Sequence, residues 1–186
     1  MKNKYIYLIV IFFIFINKTN LSYADPFNIK ASEINFQNDK NLLTANGNVE
    51  VIVDNGIKIT GDRLVYDKLK EVLKISGNII LNDEEKNFKI YSENIIYDKK
   101  IEKITLNNKN QINFDEKYFL NANDIIYLRN EYKISSNKKS TLKDNFNNIY
   151  SLKNFVYFSN TSLIQSNGII LIDNDKNKLR LKETFI

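Results

Sequence analysis

One pattern dominates the 186-residue sequence: a segment that recurs about every thirty residues. It reads Phe27-Asn-Ile-Lys-Ala-Ser-Glu-Ile-Asn-Phe36, then Ile57-Lys-Ile-Thr-Gly-Asp-Arg-Leu-Val-Tyr66, Phe88-Lys-Ile-Tyr-Ser-Glu-Asn-Ile-Ile-Tyr97, Tyr118-Phe-Leu-Asn-Ala-Asn-Asp-Ile-Ile-Tyr127 and Ile149-Tyr-Ser-Leu-Lys-Asn-Phe-Val-Tyr-Phe158. The closing aromatics Phe36, Tyr66, Tyr97, Tyr127 and Phe158 are 30, 31, 30 and 31 residues apart. A second half-unit follows three times, as Leu43 to Val51, Leu73 to Leu81 and, more weakly, Leu106 to Phe114, with a degraded echo at Ile164 to Leu171. Such periodicity marks a stack of similar units, each of which buries its apolar face against its neighbours. Between 130 and 147 the pattern fades, and Asn137 to Asn148 reads as a polar loop.

Within each first half, apolar side chains recur at offsets 0 and 2 and again at 7 and 9, with a small or polar pair between. Alternation predicts half-buried strands. The odd step of five would turn the second pair to the opposite face unless the strand carries an extra residue or a bend there. A bulge at Ser32-Glu33, Gly61-Asp62, Ser92-Glu93 and Ala122-Asn123 keeps both halves on one core. β-Branched, aromatic and Asn residues argue against helix. Turns are predicted at Asp54-Asn55-Gly56, Asn82-Asp83-Glu84-Glu85 and Asp173-Asn174-Asp175. Gly47 and Gly77, just before strand halves, suit bends where a side chain would clash, or are ordinary turn glycines. The fold class is therefore all-β, with about ten bent antiparallel strands built from the repeats.

The first 24 residues have a different character. A basic start, an apolar run from Tyr5 to Ile16 and small residues at Ser22 and Ala24 describe a secretory signal peptide cleaved between Ala24 and Asp25. The apolar run is too short for a membrane span, which takes about 20 residues. Its loss removes Lys2, Lys4 and Lys18 and no acid, so the net charge falls from +5 to +2 and the electrostatic case for nucleic acid largely disappears. The domain expected is residues 25–186. With no Cys and no His, thiol and Ser-His-Asp nucleophiles, disulfides and ordinary zinc sites are excluded. No cofactor, metal or catalytic residue is expected. Glu33, Asp62, Glu93 and Asp124 recur near one corner, where a carboxylate pair could do acid–base work on a glycan. Their interchange with Asn and Ser between repeats favours local hydrogen bonding over catalysis, and the chain is read as a non-enzyme.

The reiterated signature, seen in Ala45-Asn-Gly-Asn-Val49, Ile59-Thr-Gly-Asp-Arg-Leu-Val-Tyr66, Ile75-Ser-Gly-Asn-Ile79 and Tyr91-Ser-Glu-Asn-Ile-Ile-Tyr97 behind a leader, resembles the OstA-like family. That family includes the periplasmic lipopolysaccharide-transport protein LptA and the N-terminal domain of the assembly protein LptD. The resemblance implies a V-shaped β-jellyroll in the periplasm, either free there or associated with the outer membrane. Its interior would receive lipid A acyl chains, and its ends would pair edge to edge with other jellyrolls of the same transport system. Ile34, Phe36, Val49, Val51, Leu64, Tyr66, Ile79, Leu81, Ile95, Tyr97, Ile125 and Tyr127 would line the groove, although the same residues would form the plain core of any sandwich. The fourth and fifth segments look more like the LptD type, which implies a C-terminal membrane barrel and its plug lipoprotein as partners. On that reading the chain, stopping in pattern mid-strand at Phe185-Ile186, is truncated. A stand-alone LptA-like bridge and a repetitive β adhesin that binds glycans are the alternatives.

Overall fold

The structure is a computed structural model and describes residues 27–182, apart from 54, 55, 115 and 174, together with the backbone of 184 and 185. The leader, with its cleavage site at Ala24 and Asp25, lies outside the described residues, as do Asp54, Asn55 and Asn174 of the expected turns and the final Ile186. Six long strands form the centre: β3 (Leu42–Val53), β4 (Ile57–Asp67), β5 (Val72–Asp83), β6 (Phe88–Asp98), β7 (Lys103–Phe114) and β8 (Tyr118–Leu128). Short strands flank them. β1 (Phe27–Lys30) and β2 (Glu33–Gln37) precede; β9 (Lys133–Ser136), β10 (Ser140–Asp144), β11 (Ile149–Leu152), β12 (Phe155–Phe158), β13 (Leu163–Ser166), β14 (Ile169–Ile172), β15 (Lys178–Leu181) and β16 (Thr184–Phe185) follow.

All the pairings are antiparallel, and each long strand belongs to two leaves. The first leaf runs β1-β3-β4-β5-β6-β7-β8-β10-β11-β14-β15. The second leaf runs from β2 through the other halves of β3 to β8 and on to β9, β12, β13 and β16. Short strands in pairs, such as β1 with β2 or β11 with β12, are long strands broken at the bend. The expected about ten bent strands are thus realised as six continuous bent strands plus broken ones of the same design.

The register shifts at the middle of every long strand, at Asn46/Val49, Thr60/Arg63, Ser76/Ile79, Tyr91/Ile95 and Leu106/Lys109. The shifts absorb the odd step in the sequence. In β4, Ile57, Ile59, Gly61, Leu64 and Tyr66 are all buried, so both halves face one core despite the change of parity. Gly77 shows why the bend selects glycine: its φ is +80°, and a Cβ there would lie 2.4 Å from Asp62 Oδ2. Asn78 follows at φ 46° and donates its side-chain amide to Asp62 Oδ2 at 2.8 Å. Asn48 does the same to Ser32 Oγ at 3.2 Å.

The turns of the second leaf are stitched together. Lys68, Lys99, Arg129 and Ser159 each donate a backbone N–H to the carbonyl that closes the preceding turn, on Asn41, Glu71, Glu102 and Tyr132, at 2.8–3.0 Å. On the first leaf an Asp at the strand end holds the turn. Asp144 Oδ1 accepts the N–H groups of Phe146 and Asn148 at 2.9 Å, and Asp173 Oδ1 accepts that of Asn177 at 2.8 Å.

Two features differ from the expectation. Residues 137–148 are not a loop: Ser140–Asp144 forms β10, in register with Phe119 to Asn121 of β8, with Leu142 fully buried. This strand reads as loop because its segment, Ser140-Thr-Leu-Lys-Asp144, has one large apolar residue. The fifth segment is also shifted by one residue. Leu152, Phe155 and Tyr157 point inward, and Tyr157 rather than Phe158 takes the place of the closing aromatic. A one-residue slip moves every side chain to the other face of a strand, so Tyr157 is buried and Phe158 is only half-buried.

Candidate functional site

The space between the leaves is the one place where the repeats converge. Across the second leaf an unbroken inward row alternates aromatic and aliphatic side chains: Phe36, Leu43, Tyr66, Leu73, Tyr97, Ile104, Tyr127, Ile134, Tyr157 and Ile164, each directly opposite the next. At the usual strand spacing of about 4.8 Å the row is roughly 43 Å long. Aromatic rings of the first leaf reach into it. Phe27 meets Tyr66 and Tyr97 with centroids at 5.0 and 5.7 Å, Phe88 meets Tyr127 at 5.2 Å, and Phe114 meets Tyr157 at 4.2 Å. These edge and tilted contacts suit the ring quadrupoles.

Of the twelve residues expected to line a groove, ten lie in this interior. Val49, Val51, Leu64, Tyr66, Ile79, Leu81, Ile95, Tyr97, Ile125 and Tyr127 are at most 1% exposed, so the leaves are closed on their own side chains. Ile34 and Phe36 differ. Their cross-strand partners Ala45 and Leu43 face inward, so both point toward the interior, yet they are 37% and 54% exposed because β2 is the terminal strand and, among the described residues, no further strand covers it. The far end repeats the arrangement: Leu179 on β15 sits opposite inward-facing Leu171 and is 51% exposed. Among the described residues the apolar interior is therefore uncovered at both ends of the stack.

Midway along the open side of the V, opposite the bends, a buried polar cluster ties leaf to leaf. Asp83, wholly buried at the end of β5 in the first leaf, accepts a hydrogen bond from Tyr127 Oη at 2.9 Å, and Arg129 Nε of the second leaf lies 3.5 Å away. The guanidinium also reaches Glu102 at 3.6 Å and, across the leaves, Glu85 at 3.8 Å. Tyr97 Oη donates to Glu102 Oε2 at 2.7 Å, and Lys99 pairs with the other Glu102 oxygen. Burial pushes both tyrosine hydroxyls up, assisted by Glu102 at Tyr97 and by Asp83 at Tyr127, so they stay protonated and act as donors. For Glu102, burial would raise the carboxyl, but hydrogen bonds from Lys99 and Tyr97 outweigh it and hold it below its ordinary value. Burial likewise opposes the charge of Arg129, and Asp83 leads the groups that more than restore it. A buried charge needs such pairing.

Sequence reasoning missed this cluster. Asp83 stands in a turn-like run, Asn82-Asp83-Glu84-Glu85, and it does bind the turn through Oδ1 and the Lys86 N–H at 3.1 Å. Its second oxygen faces inward. The signal available was its parity: Asp83 continues the alternation of Ile79 and Leu81.

The corner carboxylates are dispersed along the bends. Asp62 and Asp124 hold bulges through Asn78 and the Asn108 N–H, at 2.8 and 3.1 Å, and Glu33 holds Asn35 at 2.9 Å. Among the described residues no three acidic side chains gather as a metal site would require.

The sequence matches no known protein family and no curated protein. Among solved structures, one is the crystal structure of LptH, the LptA-homologous periplasmic component of the lipopolysaccharide transport device from Pseudomonas aeruginosa. The similarity covers 87% of this chain and 94% of that one, with 13% identity and a TM-score of 0.32.

Proposed function

We propose that this chain is a periplasmic carrier of lipopolysaccharide, which takes the acyl chains between its two leaves and passes the lipid along a row of similar sandwiches toward the outer membrane. The observation that carries the reading is the apolar interior, continuous over the whole stack and, among the described residues, uncovered at Ile34 and Phe36 on one end and at Leu179 on the other. A soluble sandwich that only needed a core would close both ends, since exposed apolar surface is a liability. The terminal strands β1 and β2, and β15 and β16, have one unpaired edge each among the described residues. Strand addition by a neighbouring sandwich would continue both leaves and join the two interiors.

The interior side chains are buried against one another, so acyl chains enter by parting the leaves about their bends. The Asp83–Arg129 cluster is the fastening that this motion releases. Within the OstA-like resemblance, the LptD type of N-terminal domain is the preferred form, with a membrane barrel and its plug lipoprotein as partners; the alternative is a free-standing LptA-like bridge. Ten groove residues line the route, and Ile34 and Phe36 form its entry.

Lipid A itself, free of further sugars, is the probe. Native mass spectrometry of the chain mixed with detergent-dispersed lipid A should show a stoichiometric complex, and Phe36→Asp should weaken it at unchanged stability because that position is exposed. No complex, or one indifferent to Phe36→Asp, contradicts the proposal.

A further inference from the structure

On the outside of the first leaf, along the bend, the strands leave a trough between two rows of outward side chains. Its floor is the backbone around residues whose side chains turn inward, and its main segment encloses about 710 Å³ before a second segment of 500 Å³ continues it toward β15. One wall is a single cross-strand row, each residue directly opposite the next: Ile80, Tyr91, Gln111, Asn121, Thr141 and Ser151, then Ile170 and Arg180. Eight strands at about 4.8 Å give it a length of roughly 34 Å. The opposite wall carries Asn78, Glu93, Lys109, Asn123 and Lys139, with Lys153 farther on.

The wall chemistry is selective. Gln111, Asn121, Asn123, Thr141 and Ser151 are uncharged groups that each donate and accept, the pattern complementary to hydroxyl groups. Tyr91 and Ile80, 40% and 41% exposed, form one flat apolar platform in the same row. Among the described residues that line the two segments, four cations, Lys109, Lys139, Lys153 and Arg180, stand against one carboxylate, Glu93, with Asp124 and Lys138 just beyond the wall. Successive base stacking would need more than one aromatic. A peptide added as a strand would need a free edge, and the edges lie at the ends of the stack, not in the trough.

We infer that this trough binds a linear saccharide bearing acidic substituents: its hydroxyls on the amide and hydroxyl rows, one sugar face on Tyr91, and its anionic groups toward the lysines. The inference does not depend on the occupant of the interior. It would serve the polar part of a glycolipid or a separate acidic polysaccharide equally.

Isothermal titration of the full chain with three lipid-free probes decides it: deacylated, phosphorylated lipopolysaccharide oligosaccharide, oligogalacturonate, and polyglutamate as a charged non-sugar. At least one saccharide should bind, and polyglutamate should not match it. Tyr91→Ala, and separately Gln111→Ala with Asn121→Ala, should weaken binding roughly tenfold. All three positions are exposed, so the circular dichroism and thermal midpoint of the variants should match the parent chain. Lys139→Glu should weaken the acidic saccharide and leave the fold intact. Saccharide binding without lipid A binding would leave this site standing and overturn the lipid reading; lipid A binding alone would do the reverse. The inference is overturned by no saccharide binding at millimolar concentration, by binding unaffected by the wall variants, or by polyglutamate binding equally well.

Discussion

At Arg129 the electrostatics of the molecule concentrate. Its guanidinium is 7% exposed and faces Asp83, which is wholly buried, together with Glu102 and Glu85. Replacing Arg129 by Met leaves the Asp83 charge buried with the Tyr127 hydroxyl and the Lys86 N–H but no cation beside it, and should cost about 3–5 kcal/mol in a denaturant titration. Adding Asp83→Asn to that variant should recover part of the loss; a further loss instead would mean that the pairing contributes nothing. The same cluster sets an acid limit. Glu102 is held below its ordinary value of 4.5, so its contribution to stability is complete above that pH and disappears as pH falls through the lower, folded-state value. Asp144 adds a second step: burial opposes its charge, but Asn148 and Tyr150 hold it below its ordinary value of 3.8. The thermal midpoint should therefore fall steeply below pH 4.5, and less steeply in Glu102→Gln. Equal slopes would remove Glu102 from the account. None of this was legible in the sequence, because an Asp at a strand end reads as a turn residue whether or not its second oxygen points inward. Asp173 occupies a comparable strand-end position and serves only the turn, through Asn177.

The bent strand is the element on which the repeat is built, and here the sequence was informative. Offsets 0, 2, 7 and 9 announced both the inward residues and the bulge, since no straight strand can bury all four positions on one face. Legibility failed where the marker residues are missing. β7 has Asn108-Lys109 in place of Gly77-Asn78, and the inward position held by Val49 and Ile79 is taken by Asn110, whose Oδ1 is buried without a hydrogen bond. β10 presents Ser140 at that position, and the fifth segment slips by one residue with no glycine to mark its bend. The role of glycine can be tested at the bulge. Gly77→Ala combines a left-handed backbone, worth about 1–3 kcal/mol, with a Cβ 2.4 Å from Asp62 Oδ2. Gly56→Ala carries the backbone term alone, with nothing within 4 Å of its Cβ. Gly77→Ala should be the more destabilising of the two by urea unfolding, and Asp62→Ala should rescue part of it. If the two glycine variants are equal, close approach at the bend is not a constraint.

At the scale of the whole molecule, two leaves share six strands, are fastened by a buried polar cluster, and among the described residues have no cover at either end of their interior. Composition alone suggested less: a basic chain whose excess charge belongs mostly to residues 1–24, the expected leader, and a lack of His and Cys that fits the proposed carrier. What the sequence could not reveal is that the interior closes on itself, because ten of the twelve residues read as lining serve equally as core. Lys99 illustrates the same limit, since it reads as a surface lysine but its side chain is 16% exposed within the cluster. The reference position for any labelling experiment is therefore Lys70, 76% exposed. The most direct measurement places a photo-crosslinking residue at Tyr97, Ile125 or Lys70 in cells that make lipopolysaccharide. The account predicts lipopolysaccharide adducts at Tyr97 and Ile125 and none at Lys70. Adducts at Lys70 with none at the two interior positions would contradict it.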